Sequence, residues 1–87
     1  MVQKSVQIQL AQGLEARLAA VLVQKASLFD SKVYIESEGR KVNAKSIMGM
    51  MSLALNTGDQ VTVMAEGDDE AAAVDKLENY ISGKEAE

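Results

Sequence analysis

Residues 32–67, KVYIESEGRKVNAKSIMGMMSLALNTGDQVTVMAEG, hold two stretches of alternating apolar and polar residues on either side of a run that does not alternate. In KVYIES, Val33 and Ile35 point to one side of an extended chain, the period of a half-buried strand. SEGRK then supplies a glycine-containing turn into a short strand carrying Val42, and the two strands make a hairpin. SIMGMMSLAL is too short and too interrupted by glycine for a long helix but has room for two turns, and NTGD stops it. QVTVMAEG alternates again, with Val61, Val63 and Ala65 on one side.

The flanks carry the same two periods. VQKSVQIQL at residues 2–10 sets Val2, Val6, Ile8 and Leu10 against Gln3, Ser5, Gln7 and Gln9, with Lys4 interrupting the apolar side. Residues 16–28 read as a helix, because Ala19, Leu22, Val23, Ala26 and Phe29 recur at spacings of three and four, and Gln24 and Lys25 are expected to face water. A last helix is predicted from about Asp69 to Ser82, with acidic residues in its first turn, a stripe of Ala73, Val74, Leu77, Tyr80 and Ile81, and Gly83 as its stop. The tail from residue 84 to 87 should fray.

The predicted order is β-α-β-β-α-β-α, without an internal repeat, linker or low-complexity run. All the apolar stripes are buried together if four antiparallel strands form one sheet with the three helices on one face, an α+β open-faced βαββαβα sandwich. The first and fourth strands become neighbours if the hairpin packs outside them. With 87 residues, residues 1–87 are expected to form a single domain that buries only about 60 to 65% of its unfolded surface.

Composition removes several function classes. The chain has no histidine and no cysteine, so the usual general base near neutral pH, the commonest metal ligand and any thiolate nucleophile are missing. No metal or other cofactor is expected. A net charge of −4 disfavours direct binding to nucleic acid, whose phosphates select clustered Lys and Arg. No window approaches the roughly 20 apolar residues of a membrane span, and a cytoplasmic protein without membrane contact is expected.

Three constellations stand out. In GLEARLAA, residues 13–20, a glycine turn enters a helix with Glu15 and Arg17 at its start, where free N–H groups would suit an anion and where a carboxylate also complements the helix dipole. In NAKSIMGMMSL, Ser46 stands at a helix N-cap, a structural role in its own right, and with Lys45 beside it is also a candidate for regulatory phosphorylation. On that short helix Met50, Leu53 and Ala54 can share an inward face, which leaves Ile47, Met48 and Met51 outside as a candidate docking patch that Leu14, Leu18 and Val21 would extend.

GLEARLAA and VNAKSIMGMMSLAL together resemble HPr, the phosphocarrier family of the bacterial phosphoenolpyruvate:sugar phosphotransferase system. The first is similar to that family's active-site pattern Gly-Leu-His-Ala-Arg-Pro-Ala and the second to the segment around its regulatory serine, and the βαββαβα order agrees over essentially the whole chain. Glu15 occupies the place of the family's phosphorylated histidine and Leu18 that of its proline, so the chain resembles a regulatory branch that lacks the acceptor and keeps the serine. That branch is described with glutamine where Glu15 stands.

What the resemblance implies is a regulatory signalling protein of carbon catabolite repression in Gram-positive bacteria, with no catalytic residue. Ser46 matches the serine phosphorylated by HPr kinase/phosphorylase, after which the protein would act as corepressor of a LacI-type catabolite control transcription factor. Ile47, Met48 and Met51 match the family's apolar docking surface, and Arg17 the arginine that meets the regulator. Two other functions stay open: a binding module that regulates a metabolic enzyme through the same surface, and a degenerate phosphocarrier, which the missing imidazole argues against. A weakly apolar first strand before a glycine turn also allows a homodimer by strand exchange.

Overall fold

The structure is a computed structural model, and it describes residues 1–10 and 17–84. Along the chain run β1 (Val2–Gln7), α1 (Leu18–Ala26), β2 (Lys32–Ser37), β3 (Arg40–Asn43), α2 (Ile47–Met51), β4 (Gln60–Glu66) and α3 (Glu70–Ile81). The four strands form one antiparallel sheet in the order β1-β4-β2-β3, so the hairpin does lie outside and β4 separates the first strand from the second.

Register explains why the alternation works. Val6 faces Val61, while Val2, Ala65 and Val33 share one row across three strands, and Lys4, Val63, Ile35 and Val42 share the next. One side of the sheet is therefore nearly continuous aliphatic surface. The exception, Lys4, sits on the edge strand and turns its ammonium to Glu78 on α3 at 3.0 Å, which lets a charge occupy an apolar row and leaves the open edge poorly suited to further pairing.

The core consists of Val6, Val33, Ile35, Val61, Val63 and Ala65 of the strands with Ile8, Met50, Ala73, Val74, Leu77, Tyr80 and Ile81 and the inner side of α1. Helix α3 packs on β1, β4 and β2, α1 packs against α2 and α3, and α2 rests on β3. The stripe expected for α3 is the one that is buried, and Gly83 beyond its end has φ +81°, a conformation that costs glycine little.

Helix α1 departs from expectation. Its buried residues are Leu18, Val21, Leu22 and Ala26, whereas Ala19, Val23 and Phe29 are only half-buried. The water-facing side is Arg17, Ala20, Gln24, Ser27 and Leu28, and the buried face is turned toward Leu18 and Val21 relative to the one the apolar spacing suggests. Lys25 does not simply face water either, since its ammonium lies 5.3 Å from the centre of the Tyr80 ring.

A carboxylate ties two loops together. Asp69, just before α3, accepts from the backbone N–H of Asp30 at 2.9 Å, from that of Ser31 at 3.0 Å, and from the Ser31 hydroxyl. The Ser31 hydroxyl, followed by the Asp30 N–H, holds the Asp69 carboxyl below its ordinary value of 3.8, and the Gly67 N–H does the same for Glu70. In the unfolded chain these groups bind protons more readily, so their stabilisation is complete above the ordinary carboxylate range and is lost as pH falls through the lowered folded values. Asp69→Asn, which removes the charge and one acceptor, is expected to lower the urea midpoint at neutral pH and flatten its fall in acid. Unfolding curves for both proteins, taken from neutral to acid pH, check this; parallel acid limbs would remove Asp69 from the account.

Candidate docking site on the second helix

The chain enters α2 through a turn that its own side chains shape. After β3, the Asn43 side-chain oxygen accepts from the Lys45 N–H at 2.8 Å and the Asn43 carbonyl accepts from the Ser46 N–H at 3.0 Å. Ala44 is fully buried and its N–H donates to the Val33 carbonyl at 2.8 Å, which pins the turn to β2. Ser46 then takes an extended conformation (φ −106°, ψ 114°) and its hydroxyl accepts from the Gly49 N–H at 3.2 Å, the N-cap geometry expected of it.

Helix α2 is fastened at its other end as well. Ser52, the C-cap residue, gives its hydroxyl to the Gly49 carbonyl at 2.6 Å, and the Arg40 guanidinium on β3 reaches the Ser52 carbonyl at 3.0 Å and the Ser52 hydroxyl at 3.2 Å. A cation there complements the negative end of the helix while tying it to the sheet. Neither Arg40 nor Asn43 is conspicuous in the sequence, because what they do depends on where the hairpin brings them. Asn43 followed two residues later by a turn N–H is the one local signal that was available.

Between these ties the helix has two faces. Met50 is 1% exposed and reaches the core, while Ile47 is 41%, Met48 77% and Met51 64% exposed. Leu53 is half-buried against the core, but Ala54 is exposed with φ +50°, so it leaves the inward face expected for it. Three large apolar side chains in five residues thus project from a short helix held at both ends.

The other expected members of the site fall differently. Leu18 and Val21 are not part of the patch: they are 2% and 6% exposed and belong to the core, because α1 packs against both α2 and α3. Lys45 does not offer a free ammonium to Ser46, since Nζ donates to the Phe29 carbonyl at 2.6 Å, at the end of α1. Arg17 is exposed and directly precedes α1. Glu15 and Leu14 lie outside the described residues, as do residues 85–87 of the expected frayed tail.

Among the described residues no group of three or more histidine, cysteine or acidic side chains is placed to hold a metal ion, and no helix is long and apolar enough to cross a membrane. What the site offers is a partly exposed capping hydroxyl beside an apolar surface, a combination suited to modification and docking.

That fold and that serine-capped helix define a member of the HPr class. The family model described as the PTS HPr component phosphorylation site matches residues 2–83, and the chain belongs to this family. It is 54% identical over 81 residues to the HPr-like protein Crh of Bacillus subtilis, covering 93% of this chain and 95% of that protein. The crystal structure of a phosphocarrier protein HPr from Bacillus anthracis superposes with a TM-score of 0.85 at 50% identity, over 92% of this chain and 95% of that one. The crystal structure of Bacillus subtilis Crh, described as a dimer with a swapping domain, matches with a TM-score of 0.75 at 50% identity over the whole of both chains.

Proposed function

We propose that this protein is a cytoplasmic regulatory protein of carbon catabolite repression, phosphorylated on Ser46 by HPr kinase/phosphorylase and then acting as corepressor of a LacI-type catabolite control transcription factor. The observation that carries the reading is that Ser46 caps the very helix whose outer face is Ile47, Met48 and Met51. A phosphate on its hydroxyl adds charge at the rim of that apolar surface, so one partner can read both at once. Arg17 supplies a cation to the same contact. The role is regulatory because the chain has no histidine to carry a transferable phosphate, and Glu15 leaves a permanent carboxylate where the family's acceptor would be.

The test is intact mass after incubation with ATP, magnesium and HPr kinase/phosphorylase, with Ser46→Ala in parallel. One added phosphate on the parent chain and none on the variant is the expected result. The variant also loses its N-cap, at a cost of about 1 kcal/mol, and remains folded. A parent chain that takes no phosphate would overturn the reading and bring forward docking on a metabolic enzyme.

Exchange of β1 between two copies belongs to the same proposal. It is supported by the position of β1 at the sheet edge, paired only to β4 among the described strands, and by the swapped dimer described for Bacillus subtilis Crh. Sedimentation is expected to detect dimer alongside monomer, and a monomer at every concentration after refolding would argue against it.

A further inference from the structure

We propose that Met48 and Met51 form a reversible oxidation site, at which a peroxide converts both thioethers to sulfoxides and turns the outer face of α2 polar while the fold stands. The chain has five methionines and no cysteine, so methionine is the sulfur through which it can meet an oxidant. Three of the five fall between residues 48 and 51. The structure gives them opposed surroundings: Met48 and Met51 stand 77% and 64% exposed, and Met50 between them is 1% exposed.

The chemistry separates them. A lone pair on Sδ attacks one oxygen of hydrogen peroxide, the O–O bond breaks, and water leaves after a proton shift; sulfur is oxidised by two electrons and the peroxide reduced to water. Peroxide and water reach Met48 and Met51 freely, and the new S=O dipole stays hydrated. At Met50 the oxidant has no approach, and the sulfoxide would be a polar group among apolar side chains.

Among the described residues, none of the ties that hold α2 in place passes through the two exposed side chains. The helix is fixed by the Ser46 hydroxyl on Gly49, by Met50 in the core, and by Arg40 on the Ser52 carbonyl and hydroxyl. Oxidation therefore changes the surface and leaves its scaffold. The two methionine sulfoxide reductases, one for each sulfoxide epimer, reverse it, two thiols being oxidised to a disulfide as each oxygen departs as water. The consequence for Ser46 rests on the function proposed above: a helix face that has become polar is a poorer docking surface for the kinase.

The folded protein is treated with hydrogen peroxide and each methionine is followed by fragment-ion mapping, with guanidinium-unfolded protein as reference. In the folded chain Met48 and Met51 are expected to oxidise at least about tenfold faster than Met50, a difference that unfolding abolishes. Retention on a phenyl matrix should fall with unchanged circular dichroism, return after the reductases and thiol, and fall less in a Met48→Leu, Met51→Leu chain under the same peroxide, in which the exposed Met1 and half-buried Met64 are still open to oxidation. The rate of phosphorylation by HPr kinase/phosphorylase should fall and recover in step. Oxidation of Met50 alongside Met48 in the folded state, or unaltered phenyl retention once both sulfoxides have formed, would overturn the proposal. If the untreated chain takes no phosphate, the function proposed above fails, while mapping and retention still decide the oxidation site.

Discussion

The Met48→Glu, Met51→Glu chain, phosphorylated on Ser46, is expected to bind the catabolite control protein at least about tenfold more weakly than its parent, with an unchanged unfolding midpoint. Both wild-type side chains are among the most exposed large apolar groups of the described residues, so their loss removes little from the core. A docked partner would cover them, and central apolar contacts of this kind carry most of an interface's free energy. Two carboxylates in their place would have to be desolvated beside a phosphate of the same sign, which adds repulsion to lost contact. Calorimetric titration of the phosphorylated proteins against the regulator, with thermal unfolding as control, makes the measurement. Equal affinities would mean that the partner reads the phosphoserine without α2.

The contrast with α1 shows where a sequence can define a surface and where it cannot. On α2 the split was legible because a five-residue helix between a capping serine and a closing turn can turn little of itself inward, and Met50 is the residue that it buries. On α1, LAAVLVQKA is apolar on nearly every side, so hydrophobicity leaves its rotation undetermined. Leu18 and Val21 look as available as any neighbour until α2 and α3 close over them. A spacing rule finds one stripe, and a helix packed on both flanks buries a wider arc than one stripe describes.

The strands were readable for the opposite reason. A period of two admits only two faces, and Val33, Ile35, Val61, Val63 and Ala65 mark the buried one. Strand order needed more. The order was only conditional in the sequence; in the structure the short β3, which contributes only the half-buried Val42, takes the edge, while β2 with Val33 and Ile35 lies inside. The ties that hold the site, Arg40 to Ser52, Lys45 to Phe29 and Asp69 to Ser31, join residues 12 to 38 positions apart and have no local signature. They become visible only once the sheet has set the distance between loops.

Met50→Ala is expected to cost about 2 to 5 kcal/mol, the range for deleting a buried methionine side chain, whereas Met48→Ala two residues away should fall within about 0.5 kcal/mol of the parent. Met50 is 1% exposed and is the buried side chain of α2. Alanine leaves a void under a helix of five residues that has little of its own hydrogen bonding to resist loosening. For a chain of this length each kcal/mol lowers the melting temperature by about 4 to 8 °C, so thermal unfolding by circular dichroism separates the two variants readily. The same substitution should also weaken docking. With Met50 gone, the hold on Ile47, Met48 and Met51 falls more heavily on the Ser46 cap and the Arg40 clasp, and a surface that must be reordered on binding loses affinity even though none of its own atoms has changed. A Met50→Ala chain as stable as Met48→Ala would show that α2 is carried by its polar ties alone, and that its outward face owes nothing to the core beneath it.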